Sequence, residues 1–178
     1  MTRTRVALLG VAAVAAVHGV GWAYVTGRMQ AEYAAALDGM RQAGWSVVTE
    51  APQRAGWPSS AALRLGAVQV DGTGAGLPVR WRAEQVRIAL HATSPGTLHV
   101  VPAGAMYLGV GSFPDCRIDA GMLEGTTDGS AYDLTARGLL IEGSGGSVAI
   151  EGLQAHAAGL MIEATLIGAA PSPSLRLP

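Results

Sequence analysis

The chain begins with one long apolar run and then changes to a short alternation of apolar and polar residues. The run from Val6 to Val25 contains no charged residue, and about 20 apolar residues in a helix match the thickness of a bilayer's hydrocarbon core. It predicts a membrane-spanning helix, and we expect residues 1–27 to form a membrane anchor. The anchor residues are Val6, Leu8, Leu9, Val11, Val14, Val17, Val20, Trp22, Tyr24 and Val25.

Basic residues flank this run unequally. Arg3 and Arg5 precede it, and only Arg28 closely follows it. The positive-inside rule therefore predicts a single-pass protein of a bacterial inner membrane, with a cytoplasmic N-terminus and a periplasmic C-terminal domain. A cleaved signal peptide ending near residues 14–16 is the alternative, and it would export the same domain.

Residues 28–44 have helical spacing. Met29, Tyr33, Leu37 and Met40 recur every three or four positions, which is typical of an amphipathic helix, and Gly44 is a helix stop. We expect the membrane helix to continue into this segment and to pack its apolar face on the sheet that follows. An interfacial helix lying on lipid headgroups is the alternative.

From residue 45 to residue 169 the alternation has the period of β-strands. Between Val79 and Leu90 the alternation skips one residue near Glu84 and Gln85, which predicts a β-bulge. Residues 71–76 are expected to form a turn and residues 170–178 a loose tail. The fold class is α+β and mainly β, in which the N-terminal helix precedes a curved antiparallel sheet with one apolar face. The predicted strands are 45–50, 61–70, 79–90, 98–101, 106–110, 117–124, 131–140, 147–153 and 160–167.

Composition narrows the function classes. The net charge is −1 and only 14% of the residues are charged, so the chain has no electrostatic footprint for nucleic acid. The single cysteine, Cys116, excludes an internal disulfide. The 178 residues suit one anchored domain.

Few residues suggest catalysis. The chain has no nucleophile elbow, P-loop or dinucleotide fingerprint. His91 and His99 are expected to face each other across a hairpin, but a zinc site normally needs three or four protein ligands. A solvent-facing polar pair is therefore favoured over a metal-dependent hydrolase. We expect no catalytic residue, no metal and no cofactor.

One pair of motifs resembles a known family. The turn Gly56-Trp57-Pro58 precedes a strand with the pattern W-x-A-x-x-V-x-I, which begins at Trp81. Both resemble the bacterial DUF2125 family, whose members are generally longer, so the resemblance implies a shortened member. It also implies a membrane segment, a helix and a sheet-rich domain, a plan similar to envelope proteins of the AsmA and DUF945 type, some of which are thought to handle lipids. We expect Gly56 and Pro58 to set the turn, and Trp57 and Trp81 to have core roles rather than to contact a ligand.

Two functions fit these expectations. One is a non-enzymatic envelope protein that presents its apolar sheet face to membrane lipid or to a partner. The other is a structural or assembly subunit of an envelope complex, held by small residues four apart in the anchor, such as Ala12 and Ala16.

Overall fold

The computed structural model describes residues 3–74, 76–158 and 161–171, and among them the chain forms one helix and nine strands. The helix α1 spans Arg3–Gln42. The strands form one antiparallel sheet in the order β1-β3-β4-β5-β6-β7-β8-β9, with β2 also paired to β3, and the described strands do not close into a barrel. The strands are β1 Ser46–Val48, β2 Gln53–Ala55, β3 Ser60–Gly74, β4 Leu77–His91, β5 Ser94–Val110, β6 Cys116–Thr127, β7 Ala131–Gly143, β8 Gly146–Ala158 and β9 Met161–Pro171.

The predicted continuous helix is confirmed. α1 runs through Thr26 and Gly27 without a break and ends just before Gly44, whose φ is +86°. The N–H of Gly44 donates to the Arg41 carbonyl, and the N–H of Trp45 donates to the Met40 carbonyl. This is a Schellman cap, in which a glycine supplies the left-handed residue after the last turn.

Two glycines near this helix end should respond to alanine in opposite directions. A Cβ on Gly39 or on Gly44 would meet no atom within 4 Å. Gly39→Ala should raise the free energy of unfolding by about 0.5–1 kcal/mol, because alanine is the better helix former. Gly44→Ala should lower it by about 1 kcal/mol, because its backbone is left-handed. Denaturant titration of both variants in detergent micelles checks this, and a shift of the same sign in both would contradict it.

Strands β3 to β9 are longer than the sequence predicts, whereas β1 is shorter than the predicted strand 45–50. The predicted turn at residues 71–76 is wrong over most of its length, because β3 continues to Gly74. The predicted strands 98–101 and 106–110 are one strand, β5. The strand β9 runs to Pro171, and residues 172–178 of the predicted tail lie outside the described residues.

The two faces of the sheet differ chemically. Opposed residues in antiparallel strands point to the same face, so the register assigns each position to a side. The charged side chains of the described long strands lie on the side away from α1, the outer face. The side against α1, the helix face, is apolar, which confirms the predicted alternation. Its larger members include Leu63, Leu65, Val68, Trp81, Val86, Ile88, Leu90, Leu98, Val100, Met106, Ile118, Leu123, Leu134, Leu139, Ile141, Val148, Ile150, Leu153 and Leu166.

A break in the alternation crosses the sheet at one level. The register shift between Ala83 and Gln85 confirms the predicted bulge. At the same level, every second strand carries one residue of positive φ. These residues are Ala67 in β3, Gly104 in β5, Gly138 in β7 and Gly168 in β9. Because the alternation skips one position there, apolar side chains remain on the helix face on both sides of the break.

Candidate functional site

The C-terminal half of α1 packs on the helix face of the first long strands. Met29 contacts Ala61 and Leu63 in a buried cluster, and Thr26 is fully buried. The Thr26 hydroxyl is satisfied within the helix, because it donates to the Trp22 carbonyl at 2.9 Å. The apolar side of residues 28–44 thus contacts the sheet at Met29 and Tyr33.

An apolar groove runs between α1 and strands β3, β4 and β5. Its inner part has a volume of about 430 Å³ and its outer part about 460 Å³, and both lie in the usual range for ligand pockets. The two parts adjoin, since Val25 and Leu90 line both. We call them together the helix-sheet groove. Its apolar lining includes Val17, Val25, Met29, Ala36, Leu63, Ile88, Leu90 and Leu98.

The groove is long and holds little charge. It follows α1 from Val17 to Ala36, which at 1.5 Å per residue is about 28 Å. Its charged lining residues, Arg28 and Glu32, are exposed and pair with each other at 2.6 Å between Nη2 and Oε1. A long apolar slot whose charges lie at its open side suits an extended hydrocarbon chain better than a polar metabolite.

The helix covers only part of the helix face. Farther across the sheet, Tyr132 in β7 and Leu166 in β9 are 63% and 60% exposed, although the register places both on the helix face. Exposed apolar side chains on one face of a sheet often mark an interaction site. Part of the helix face beyond α1 therefore remains uncovered, at Tyr132 and Leu166.

The anchor residues fall into two groups. The described residues contain one helix that is long and apolar enough to cross a membrane. Val11, Val14, Val17 and Val20 project into solvent around the helix, and each is about 70% exposed. Trp22 and Val25 instead pack against the sheet, so they do not face outward as these four valines do. The side chains of Val6, Leu8 and Leu9 lie outside the described part of the chain.

The prediction of a core role for Trp57 is wrong. Its side chain is 56% exposed, and its ring lies 6.3 Å from the His18 ring, centroid to centroid. His18 reaches the same turn, since its Nε2 lies 2.8 Å from the Pro58 carbonyl oxygen. The contact between His18 and Pro58 therefore ties the helix to the turn, and the Trp57 indole remains exposed to solvent.

The other residues of the family motif have structural positions. Gly56 has a φ of +91° and accepts the Ser60 N–H at 2.9 Å, so with Pro58 it sets the turn before β3. Trp81 is half-buried and packs on the core cluster around Leu65 and Met106, which agrees with its predicted core role.

The two histidines of the β4–β5 hairpin meet as predicted. The ring centroids of His91 and His99 are 4.8 Å apart. His99 Nδ1 lies 2.5 Å from Glu124 Oε1, and its Nε2 lies 3.2 Å from the Ser94 hydroxyl. No group of three or more metal-ligating side chains occurs in the part of the chain described. His99 belongs to a polar cluster with Ser94 and Glu124 on the outer face, and His91 lies at the end of β4, where it also borders the groove.

Other outer-face charges form local pairs. Asp133 raises the pKa of His156 through a 2.7 Å hydrogen bond and its negative charge. The pKa of Asp128 falls to about 2, because its carboxylate accepts hydrogen bonds from the Ser130 hydroxyl and from the backbone N–H groups of Ser130 and Ala131. Asp133 and His156 pair across β7 and β8 on the outer face, and Asp128 stabilises the β6–β7 turn.

The groove residues were not singled out in the sequence. Leu63, Ile88, Leu90 and Leu98 look like ordinary core positions, because strand alternation identifies a face but not what covers it. Met29 and Tyr33 gave one indication, because they predict a single helix against the sheet, and a single helix is too narrow to cover nine strands.

A comparison with known protein families identifies the family of this chain. The matched family is described as an uncharacterized protein conserved in bacteria, DUF2125, and the match covers residues 22–172. It therefore starts at Trp22, where α1 meets the sheet, and extends through β9. No curated protein and no solved structure matches the chain. The resemblance carried by Gly56-Trp57-Pro58 and Trp81 is confirmed over most of the sequence, and the chain belongs to the DUF2125 family of uncharacterized bacterial proteins.

Proposed function

We propose that this protein is a non-enzymatic, membrane-anchored lipid-binding protein that holds an acyl chain of a membrane lipid in the helix-sheet groove. The observation that carries the proposal is the groove itself, which is lined by apolar side chains for about 28 Å along α1. One leaflet contributes about 15 Å of a 30 Å hydrocarbon core. The groove is therefore long enough for one chain.

The groove is also continuous with the segment that would enter the membrane. Val17 lines its outer part and belongs to the apolar run of α1. An acyl chain can thus pass from the bilayer along the helix to Leu90 and Leu98 without crossing water, which is the costly step for apolar surface. With Arg3 and Arg5 on the cytoplasmic side, the sheet would lie on the periplasmic face of an inner membrane. The uncovered helix face near Leu166 offers room for a second chain or for an envelope partner.

The direct test is to purify the full chain from membranes in mild detergent and to identify bound lipid by native mass spectrometry. We expect phospholipid to co-purify and a fluorescent fatty acid to displace it. A protein that carries no lipid and binds no fluorescent fatty acid would rule the proposal out.

A charge placed in the groove should weaken lipid binding selectively. Leu98 lines the inner part of the groove, whereas Val101 lies on the outer face of the same strand opposite Arg87. Leu98→Glu should weaken fatty-acid binding about ten-fold, a cost of about 1.4 kcal/mol, because a carboxylate resists burial beside a hydrocarbon chain. Val101→Glu is the matched control and should bind like the wild type.

Circular dichroism shows whether both variants keep the fold. If the folded Leu98→Glu variant binds the fatty acid as tightly as the Val101→Glu variant, the ligand does not occupy the helix-sheet groove.

A further inference from the structure

The sheet contacts α1 unexpectedly close to its apolar end. The turn before β3 contacts the helix at His18 and Trp22, where the Pro58 carbonyl lies 2.8 Å from His18 Nε2 and the Ser60 carbonyl accepts from Trp22 Nε1 at 3.1 Å. These contacts fix the position of this turn along the helix axis, at the level of His18 and Trp22. The neighbouring hairpin between β4 and β5 lies at the same end of the sheet, since Ser60 pairs with His91.

The part of the helix left free beyond this turn is shorter than a bilayer. Twelve residues separate Arg5 from His18 in the sequence, and they span about 18 Å of helix. A hydrocarbon core is about 30 Å thick. A membrane that covers the apolar run from Val6 must therefore thin, or it must reach the end of the sheet.

The residues at this end of the sheet fit the second outcome, in which the membrane reaches the sheet. We define the rim as residues 57–60 and 91–94, and it contains no aspartate, glutamate, lysine or arginine. It presents the exposed ring of Trp57, and tryptophan prefers the headgroup level of a bilayer. Two rim carbonyls, those of Pro58 and Ser60, are already hydrogen-bonded by the helix, which lowers the cost of leaving water.

We propose that the rim is a membrane-docking surface, which sits in the headgroup layer of the same bilayer that α1 spans. The inference rests on the membrane anchor in the proposed function, and it explains how the groove would be loaded. His91 and Ala92 belong to the rim and also line the outer part of the groove. The mouth of the groove then opens at the lipid surface.

Site-specific fluorescence in vesicles tests the docking. In a Cys116→Ser background, single cysteines replace Trp57 in the rim, Val14 in the free helix, or Phe113 in the hairpin at the opposite end of the sheet. Each of these side chains is exposed. Each variant is labelled with an environment-sensitive nitrobenzoxadiazole dye and reconstituted into phosphatidylcholine–phosphatidylglycerol vesicles with or without lipid carrying a nitroxide near the headgroup.

The labels at positions 14 and 57 should shift to the blue and lose fluorescence with the nitroxide lipid, whereas the label at position 113 should not change. Ser59→Cys, in the same turn, should behave like Trp57→Cys, which guards against a local effect of removing the indole. If positions 57 and 59 behave like position 113 while position 14 is quenched, the rim does not dock and the lipid-binding proposal stands. If position 14 is not quenched, the membrane anchor is wrong, and both proposals fail.

Discussion

Replacing Gly56 by alanine should lower the free energy of unfolding by about 3 kcal/mol. Gly56 has a φ of +91°, and a left-handed backbone costs an L-residue about 1–2 kcal/mol. A Cβ at this position would also lie 2.5 Å from Ser60 Oγ and 2.7 Å from the Ser60 carbonyl oxygen. The backbone oxygen cannot move without disturbing the start of β3, so overpacking adds about 1–3 kcal/mol. Denaturant titration in detergent micelles measures the loss.

A second glycine, Gly129, separates the cost of the left-handed backbone from the cost of overpacking. Gly129 has the same φ of +91°, but a Cβ there would meet nothing within 4 Å. Gly129→Ala should therefore cost only the backbone share, about 1–2 kcal/mol. If both substitutions cost the same, the contact with Ser60 contributes nothing, and the family motif needs glycine only for its backbone angle.

The Gly56 turn also fixes the geometry on which function depends. Ser60 donates its N–H to the Gly56 carbonyl, and the Ser60 carbonyl accepts from Trp22 of the helix. A shift at Gly56 is therefore transmitted to the contact between helix and sheet. Gly56→Ala should also weaken fatty-acid binding, whereas Gly129→Ala, in the β6–β7 turn, should not.

The fold could be predicted from the sequence largely because one signal repeats. Alternation around Trp81 and Ile88 identifies an antiparallel strand with one apolar face, and the skip at Glu84 identifies a bulge. The same skip is legible in β7, where Leu134 and Ala136 are followed by Leu139. Gly138 lies inside the predicted strand 131–140, and a glycine within a strand is itself a sign of a bulge. With Gly104 and Gly168 it marks one break that crosses the sheet.

The groove was harder to predict than the fold, because it forms where the helix leaves the apolar face of the sheet uncovered. Alternation showed that Leu63 and Leu98 share the apolar face, but not that one helix covers only the first long strands. The aromatic residues show the same difficulty. Trp57 and Trp81 both look like core residues in a strand-rich sequence, and the alternation does not show that the Trp57 ring lies exposed beside His18 of the helix.

The second large effect is expected at Leu63, where the helix and the sheet meet. Leu63 is 1% exposed and packs with Met29 and Ala61. Leu63→Ala should lower the free energy of unfolding by about 3 kcal/mol, within the 2–5 kcal/mol usual for this change in a core. Leu134→Ala, on the uncovered part of the same face where the side chain is 37% exposed, should cost about 1 kcal/mol or less. Denaturant titration of both variants measures the difference.

Fatty-acid binding by Leu63→Ala distinguishes the role of Leu63 in the core from its role in the groove. Leu63 also lines the inner part of the helix-sheet groove, so its truncation widens the groove while it weakens the fold. If an acyl chain occupies the groove, added fatty acid should recover part of the lost stability, because a ligand that binds only the folded state stabilises it by mass action. The recovery should be larger for Leu63→Ala than for Leu134→Ala, since only Leu63 borders the proposed chain. Equal recovery in the two variants would place the ligand elsewhere on the helix face, and no recovery in either would leave Leu63 with a structural role alone.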